Sequence, residues 1–190
     1  MYIMSELTYS QLLSQYIFEK NIPYYALLNC YEWRKFRLEI IERDDYKCCQ
    51  CNKYGTVSKY QGGITASHFY VEEVEHENLY DEDDNYLTSY SYTVLIPAPE
   101  SVVLHVHHTY YLFDKQPWDY PYDSLVTICS ECHFELHKKT RIRWFDSENN
   151  SKYLTPCPRC SGAGILPEYL HVQNGTCFYC KGNMYVELMK

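Results

Sequence analysis

Cys48 and Cys51 form one two-residue knuckle and Cys129 and Cys132 a second. Between them lies the doublet His107-His108, and the second knuckle runs directly into His133 and His137. Four thiolates at this spacing suit a tetrahedral Zn2+ with no open position, a centre that holds a fold. Two histidines four apart share one face of a helix and can grip a single ion while leaving room for water or substrate. One metal would hold the fold and the other would do chemistry. For a lone cysteine the plain reading is a buried free thiol, and it is accepted for Cys30 and Cys49. Within residues 48–51 the two-residue gap favours Cys48 with Cys51.

These side chains need elements to position them. Residues 102–108 are β-branched and apolar at their start, and residues 125–128 look like the partner strand. A helix beginning near Ser130 would then carry His133 and His137, giving strand, loop, strand, helix with imidazoles converging from the first strand and the helix. His105 shares a strand face with His107 and is either a phosphate contact or a packed histidine. Upstream, apolar residues at helical period predict a helix over residues 9–20 with Ser10 as its cap, and Pro23 interrupts. A second helix is expected over residues 31–43, with Trp33, Phe36, Ile40 and Ile41 on one side and Arg34, Lys35 and Arg37 largely off it. Residues 56–96 favour strands, interrupted by an acidic stretch that reads as a loop.

The formal net charge is -8 in 190 residues, an awkward balance for a protein meant to grip a polyanion. Its distribution softens the objection. Eight acids fall between Glu72 and Asp84, and no Lys or Arg occurs between Lys59 and Lys115. The cations gather at Arg34, Lys35 and Arg37, and again at Lys138, Lys139, Arg141 and Arg143, on either side of the candidate site, so a locally basic groove is compatible with an acidic chain. The acidic stretch could cover that groove. The N-terminus shows no charged and then apolar leader, so the cysteines are read as reduced cytoplasmic thiols, with the two four-cysteine sets as thiolates on zinc, rather than disulfides. No apolar run is long enough for a membrane span.

Leu104-x-Val106-His107-His108, followed by Ser124-Leu125-Val126-Thr127-Ile128-Cys129-x2-Cys132-His133-x3-His137, resembles the HNH endonuclease motif in its zinc-bearing form. The resemblance extends from Trp33 to Arg143. It implies an α+β fold with a small ββα-metal nuclease core over residues 31–145, preceded by a helical segment at 1–30 and carrying an acidic β-rich insertion at about 56–100. It implies DNA phosphodiester hydrolysis with one catalytic ion, His108 as general base, His107 and His133 as ligands, and His137 as a third ligand or a phosphate contact. Mg2+ or Mn2+ is the family expectation, although imidazole ligation suits Zn2+ or Ni2+ better. The family's middle Asn, which pins the loop carrying the base, falls at Ser124 here. A phage-defence effector or a phage nuclease would be the biological setting.

After a short polar linker at residues 146–151, Cys157/Cys160 and Cys177/Cys180 are separated by sixteen residues, the spacing of a four-cysteine zinc ribbon over residues 152–190. It could position DNA, dock a protein partner or cap the nuclease core. The competing reading of the whole chain is a non-catalytic zinc-binding adaptor. Oligomeric state is open between a single chain and a homo-oligomer.

Overall fold

Thr8 opens the first helix, α1 (Tyr9–Leu13): its hydroxyl accepts the Gln11 N–H while the Gln11 side chain accepts the Thr8 N–H. The sequence had suggested Ser10 as the cap and a helix over residues 9–20. In this computed structural model, which describes residues 7–19, 22–61, 65–113 and 115–189, the helix stops at Leu13. There the Ser14 hydroxyl takes the Gln11 carbonyl as acceptor, a local bond that competes with helix continuation. Lys20 lies outside the described residues. Helix α2 (Tyr24–Leu27) starts from Pro23, and α3 (Tyr31–Arg43) has the span its periodicity predicts, burying Trp33, Ile40 and Ile41.

The chain divides into two compact units, one comprising Met1–Asn52 with Leu104–Lys190 and the other Lys53–Val103. In the second unit β1 (Val57–Gln61), β2 (Thr65–Tyr80) and β3 (Tyr86–Pro97) form an antiparallel sheet in that order. The acidic stretch, expected as a loop, is mostly strand. Glu72 pairs with Val94, Glu73 with Thr93 and Glu77 with Tyr90, and only residues 81–84 lie in the turn, where Asp81 Oδ1 accepts the N–H of Asp83 and Asn85. The reason is physical. Tyr86 and Leu87, on opposite faces of β3, are both exposed, so this end of the arm has no core face for acids to violate, and the Tyr- and Thr-rich β3 supplies strand propensity.

The first unit resumes with β4 (Leu104–His108), a short β5 (Tyr111–Leu112) and β6 (Leu125–Cys129). β4 and β6 pair antiparallel, with His107 opposite Val126 and His108 opposite Leu125. Helix α4 (Ser130–Lys139) starts directly from Cys129. Arg43 and Asp44, at the end of α3, tie that helix to β6. Arg43 donates to the Leu125 carbonyl at 2.8 Å, and Asp44 Oδ2 accepts the Thr127 N–H at 2.8 Å. Burial opposes the Asp44 carboxylate, but hydrogen bonds from Arg43 and Thr127 outweigh it and hold its pKa below the ordinary value.

β7 (Trp144–Phe145) runs parallel to β5 and antiparallel to β8 (Ser151–Lys152). Of residues 146–151, read as a linker, 146–150 are the turn of that hairpin and Ser151 begins β8: Asp146 Oδ1 accepts the N–H of Glu148 and Asn150. Tyr111, Ile142 and Trp144 bury against Leu154, Met184 and Tyr185, so the C-terminal residues share a core with β5 and β7. Among the described residues no helix is long and apolar enough to cross a membrane.

Candidate metal centre

Cys48, Cys51, Cys129 and Cys132 converge, as do Cys157, Cys160, Cys177 and Cys180. Cys51 Sγ stands 3.8 Å from Cys129 Sγ, Cys157 Sγ 3.9 Å from Cys177 Sγ, and Cys160 Sγ 3.7 Å from Cys180 Sγ. Sulfurs about 2.3 Å from a shared tetrahedral ion would lie about 3.8 Å apart, far beyond a disulfide at about 2.05 Å. Both sets fit Zn2+. Burial alone would raise the Cys48 thiol, but backbone N–H donors from Cys129, Cys51 and Gln50 bring its pKa down to about 7. Cys49 is left out of the cluster, its pKa raised first by burial and then by the Asp44 carboxylate, as expected for the spare thiol.

A third convergence is made of imidazoles. One ring nitrogen from each of His107, His133 and His137 lies within 4.8 Å of the others. His133 and His137, one turn apart on α4, bring their Nε2 atoms to 3.2 Å, and His107 meets both rings edge-on from β4. Nitrogens about 2.1 Å from one ion would stand about 3.0 to 3.4 Å apart. His107 Nδ1 is buried with no hydrogen-bond partner among the described residues, a cost that ligation through that nitrogen would remove. Burial and mutual repulsion lower the His107 pKa to about 3, burial lowers that of His137 to about 4, and that of His133 falls well below its ordinary value. All three are therefore neutral at pH 7, the state that binds metal.

Around this triad the structure places several further groups. His108 Nε2 donates to the Pro117 carbonyl at 2.8 Å, which leaves the Nδ1 lone pair as the ring's proton acceptor. Trp33 stacks on the ring with centroids 5.3 Å apart, and Tyr120 meets it edge-on at 4.4 Å. Burial lowers the His108 pKa to about 4, against the opposing pull of the Pro117 bond. Ser124 Oγ donates to the Pro121 carbonyl at 2.6 Å, and the Ser124 carbonyl accepts both the N–H and the hydroxyl of Thr109. It thereby ties the start of β6 to the loop that holds His108. Of the two readings of His105, the structure shows the packed one: its ring stacks on His133 at 5.4 Å and its Nε2 bonds Ser130 Oγ.

His105, Val106, His107 and His108 come from both faces of β4 yet line one cavity of about 210 Å³, together with His133 and Arg37. The cavity therefore runs along the unpaired edge of β4. Arg37 had been expected largely off the apolar side of α3, and the structure corrects this. It lies four residues after Trp33 and four before Ile41, on the buried face. It is half-buried, bonds the Leu104 carbonyl and has no carboxylate partner among the described residues. A helical wheel centred on Trp33 would have found it.

The remaining cations divide. Arg34 and Lys35 are exposed on α3 and do not line that cavity. Lys138, Lys139 and Arg141 border a separate depression of about 480 Å³ with His137 and residues 155–158 and 161. Lys138 is also paired with Glu135 at 2.8 Å. Arg143 is spent on Tyr153. The C-terminal cysteine cluster packs against Phe134 of α4. Gly162, at φ +93°, comes so close to α4 that a Cβ there would lie 3.4 Å from His137 Nδ1, and Ala163, Gly164 and Ile165 wall the histidine cavity. The second four-cysteine module is thus part of the site's wall.

Fold and site together define a small α+β protein with two four-thiolate centres and one three-imidazole centre. Compared with known proteins, the chain matches no protein-family model, no curated protein and no solved structure.

Proposed function

We propose that this protein is a metal-dependent endonuclease of the HNH type that hydrolyses DNA phosphodiester bonds. The observation that carries the reading is that a half-buried Arg37, with no carboxylate partner among the described residues, shares one cavity with His107, His108 and His133. A partly desolvated cation without a counter-ion favours an anion, and a phosphodiester meets that demand beside three neutral imidazoles. His107, His133 and His137 would hold the ion, which when bound polarises the phosphate and neutralises charge on the leaving oxygen. His108 Nδ1 takes a proton from the attacking water as the new P–O bond forms, the P–O3' bond breaks, the leaving oxygen takes a proton from solvent, and the products carry 5' phosphate and 3' hydroxyl ends. The Pro117 carbonyl fixes the His108 tautomer, and Ser124 positions the loop that supplies it. Arg37 contacts the phosphate, while Lys138, Lys139 and Arg141 are placed to meet the flanking backbone.

A second reading is favoured by burial. His107, His133 and His137 are only 2%, 8% and 5% exposed, which also suits a third structural ion in a non-catalytic adaptor. Supercoiled plasmid incubated with Mg2+, Mn2+, Ni2+ or Zn2+ in turn separates the two. The nuclease reading expects nicking that drops by about 10²- to 10⁴-fold in His108→Ala, with the circular dichroism and zinc content of the variant unchanged. No nicking by the native chain with any of these ions would favour the adaptor.

A further inference from the structure

Between Cys157 and Cys180 the C-terminal module has little apolar core: the buried part of its cluster is the four cysteines and Leu166. An ion on those thiolates would therefore fix the backbone around them. One loop leaves each knuckle. In the first, the Ala163 N–H donates to the Cys160 carbonyl at 3.0 Å and the Gly164 N–H to Cys160 Sγ at 3.3 Å. In the second, the Asn183 N–H donates to the Cys180 carbonyl at 2.9 Å. The loops meet at Gly164, where a Cβ would lie 3.4 Å from the Gly182 carbonyl oxygen. Each loop also abuts a helix. A Cβ on Gly162 would stand 3.4 Å from His137 Nδ1 of α4, and one on Gly182 would stand 3.1 Å from Tyr25 Cβ of α2. Ala163, Gly164, Ile165, Gly182 and Met184 line the histidine cavity, as do Tyr24 and Tyr25.

We infer that the C-terminal thiolate centre governs the imidazole centre: its ion clasps two loops beside the histidine cavity, and Gly162 is the positioning residue through which it holds His137. The inference rests only on the ion-binding part of the proposed reading, not on cleavage. His133 and His137 approach each other through Nε2, so the Nδ1 edge of His137 is the one that Gly162 meets. At φ +93° this is a backbone conformation that glycine adopts without strain. A ring backed by fixed main chain keeps its ligating nitrogen aimed, as outer contacts of metal-bound imidazoles do in general. Phe134, one turn before His137, packs on the cysteine cluster, so α4 is held at two points. With the thiolates empty, a module with so little apolar core loses its order. The backing behind His137 then goes, and the cavity loses the residues that close one side of it. Ion binding at the two centres is therefore linked with positive sign, and each ion tightens the other by the same factor. Withdrawal of the C-terminal ion weakens the imidazole ion as well, so the chain senses its own zinc loading.

Titration of the full-length chain with Co2+, zinc being left in the thiolate centres, tests the coupling without requiring cleavage, because cobalt on imidazoles absorbs in the visible with no thiolate charge transfer. In Cys160→Ser the imidazole centre is expected to bind Co2+ about tenfold more weakly, a coupling of ordinary size. Zinc at the first thiolate centre and the helical dichroism should remain. Gly162→Ala keeps all four cysteines of the module, and it is expected to retain both zinc ions yet weaken Co2+ about fivefold. This second variant decides the matter should Cys160→Ser fail to fold. Unchanged Co2+ affinity in a folded Cys160→Ser protein overturns the coupling, and unchanged affinity in Gly162→Ala at full zinc content overturns the role of Gly162. A native chain whose imidazoles take no Co2+ removes the ion and the inference together. Coupling measured in a protein that nicks no plasmid would count against the nuclease reading and leave the clasp standing.

Discussion

Cys132 and His133 are neighbours in sequence yet belong to different centres, and the contrast between those centres explains how one short segment serves two ends. Consecutive helical residues point about 100° apart, so α4 turns Cys132 toward the other thiolates and His133 toward His107. Each thiolate centre is closed: four sulfurs complete a tetrahedron and leave no position for substrate. The imidazole triad offers three candidate ligands beside a cavity along the free edge of β4, with Arg37 in that cavity and no carboxylate partner for it among the described residues. A closed site stabilises; under the proposed reading the open one binds and transforms substrate.

The sharpest way to break that comparison is to remove one ligand of each kind. Cys160→Ser is expected to lose one zinc per chain and the ordered C-terminal module, because zinc supplies about 10 to 16 kcal/mol to small domains of this type and the Cys160 cluster packs directly on Phe134 of α4. His133→Ala should keep both zinc ions and its near-ultraviolet dichroism while losing metal-dependent nicking. Zinc analysis with dichroism decides the matter. If His133→Ala unfolds as Cys160→Ser does, the imidazole centre is structural too.

Next in size is the separation of Arg37 from its helix neighbours. Removing a preorganised donor to a reacting phosphate costs about 10²- to 10³-fold in rate. Arg37→Met should therefore lower kcat by that order with little change in KM. Arg34→Met, on the exposed side of α3, should alter only KM and its salt dependence. Equal effects from the two would remove the distinction between the half-buried and the solvated cation.

Much of this was legible in the sequence. The knuckle spacing marked both thiolate sets, and strand and helix periods placed β4, β6, α3 and α4 within a residue or two, because local preference and burial agree there. What could not be read depends on distant packing. The Pro117 carbonyl that fixes His108 and the contact of Gly162 with α4 are made by chain segments apart in sequence. The acidic strand escaped because its run of acids shows no apolar alternation in the sequence, and its pairing with the Tyr- and Thr-rich β3 is a long-range fact. Arg37 was misplaced by its charge, although its spacing from Trp33 pointed inward.

Acid should also separate the centres, by about 1.4 kcal/mol per pH unit for each group that titrates only on unfolding. His105, His107, His108 and His137 have folded pKa values lowered to about 3 or 4, first by burial, against 6.5 when exposed. Below 6.5 the unfolded chain binds protons that the folded chain refuses. The histidine contribution is therefore fully present above pH 6.5 and is lost as pH falls toward 4. Urea midpoints at pH 7.0, 6.0 and 5.5 should decline, with a shallower slope in His105→Asn. A flat profile would mean that these rings are not held neutral in the fold.

The smallest effect tests whether Ser124 does for His108 what a longer amide side chain would do. Its hydroxyl and its N–H both donate to the Pro121 carbonyl, and its own carbonyl accepts the Thr109 N–H and hydroxyl, so three of these four ties use the Ser124 backbone and survive substitution. Ser124→Ala removes one hydrogen bond, worth about 1 kcal/mol, and should lower the nicking rate about fivefold through a less well-held Pro117 while leaving the metal content unchanged. Ser124→Asn keeps a donor and should recover most of that loss if the nearly buried pocket around residue 124 admits the larger side chain. A rate unaffected by Ser124→Ala would show that the backbone ties alone fix the loop, and that the thiolate-braced scaffold, rather than this side chain, aims the imidazole.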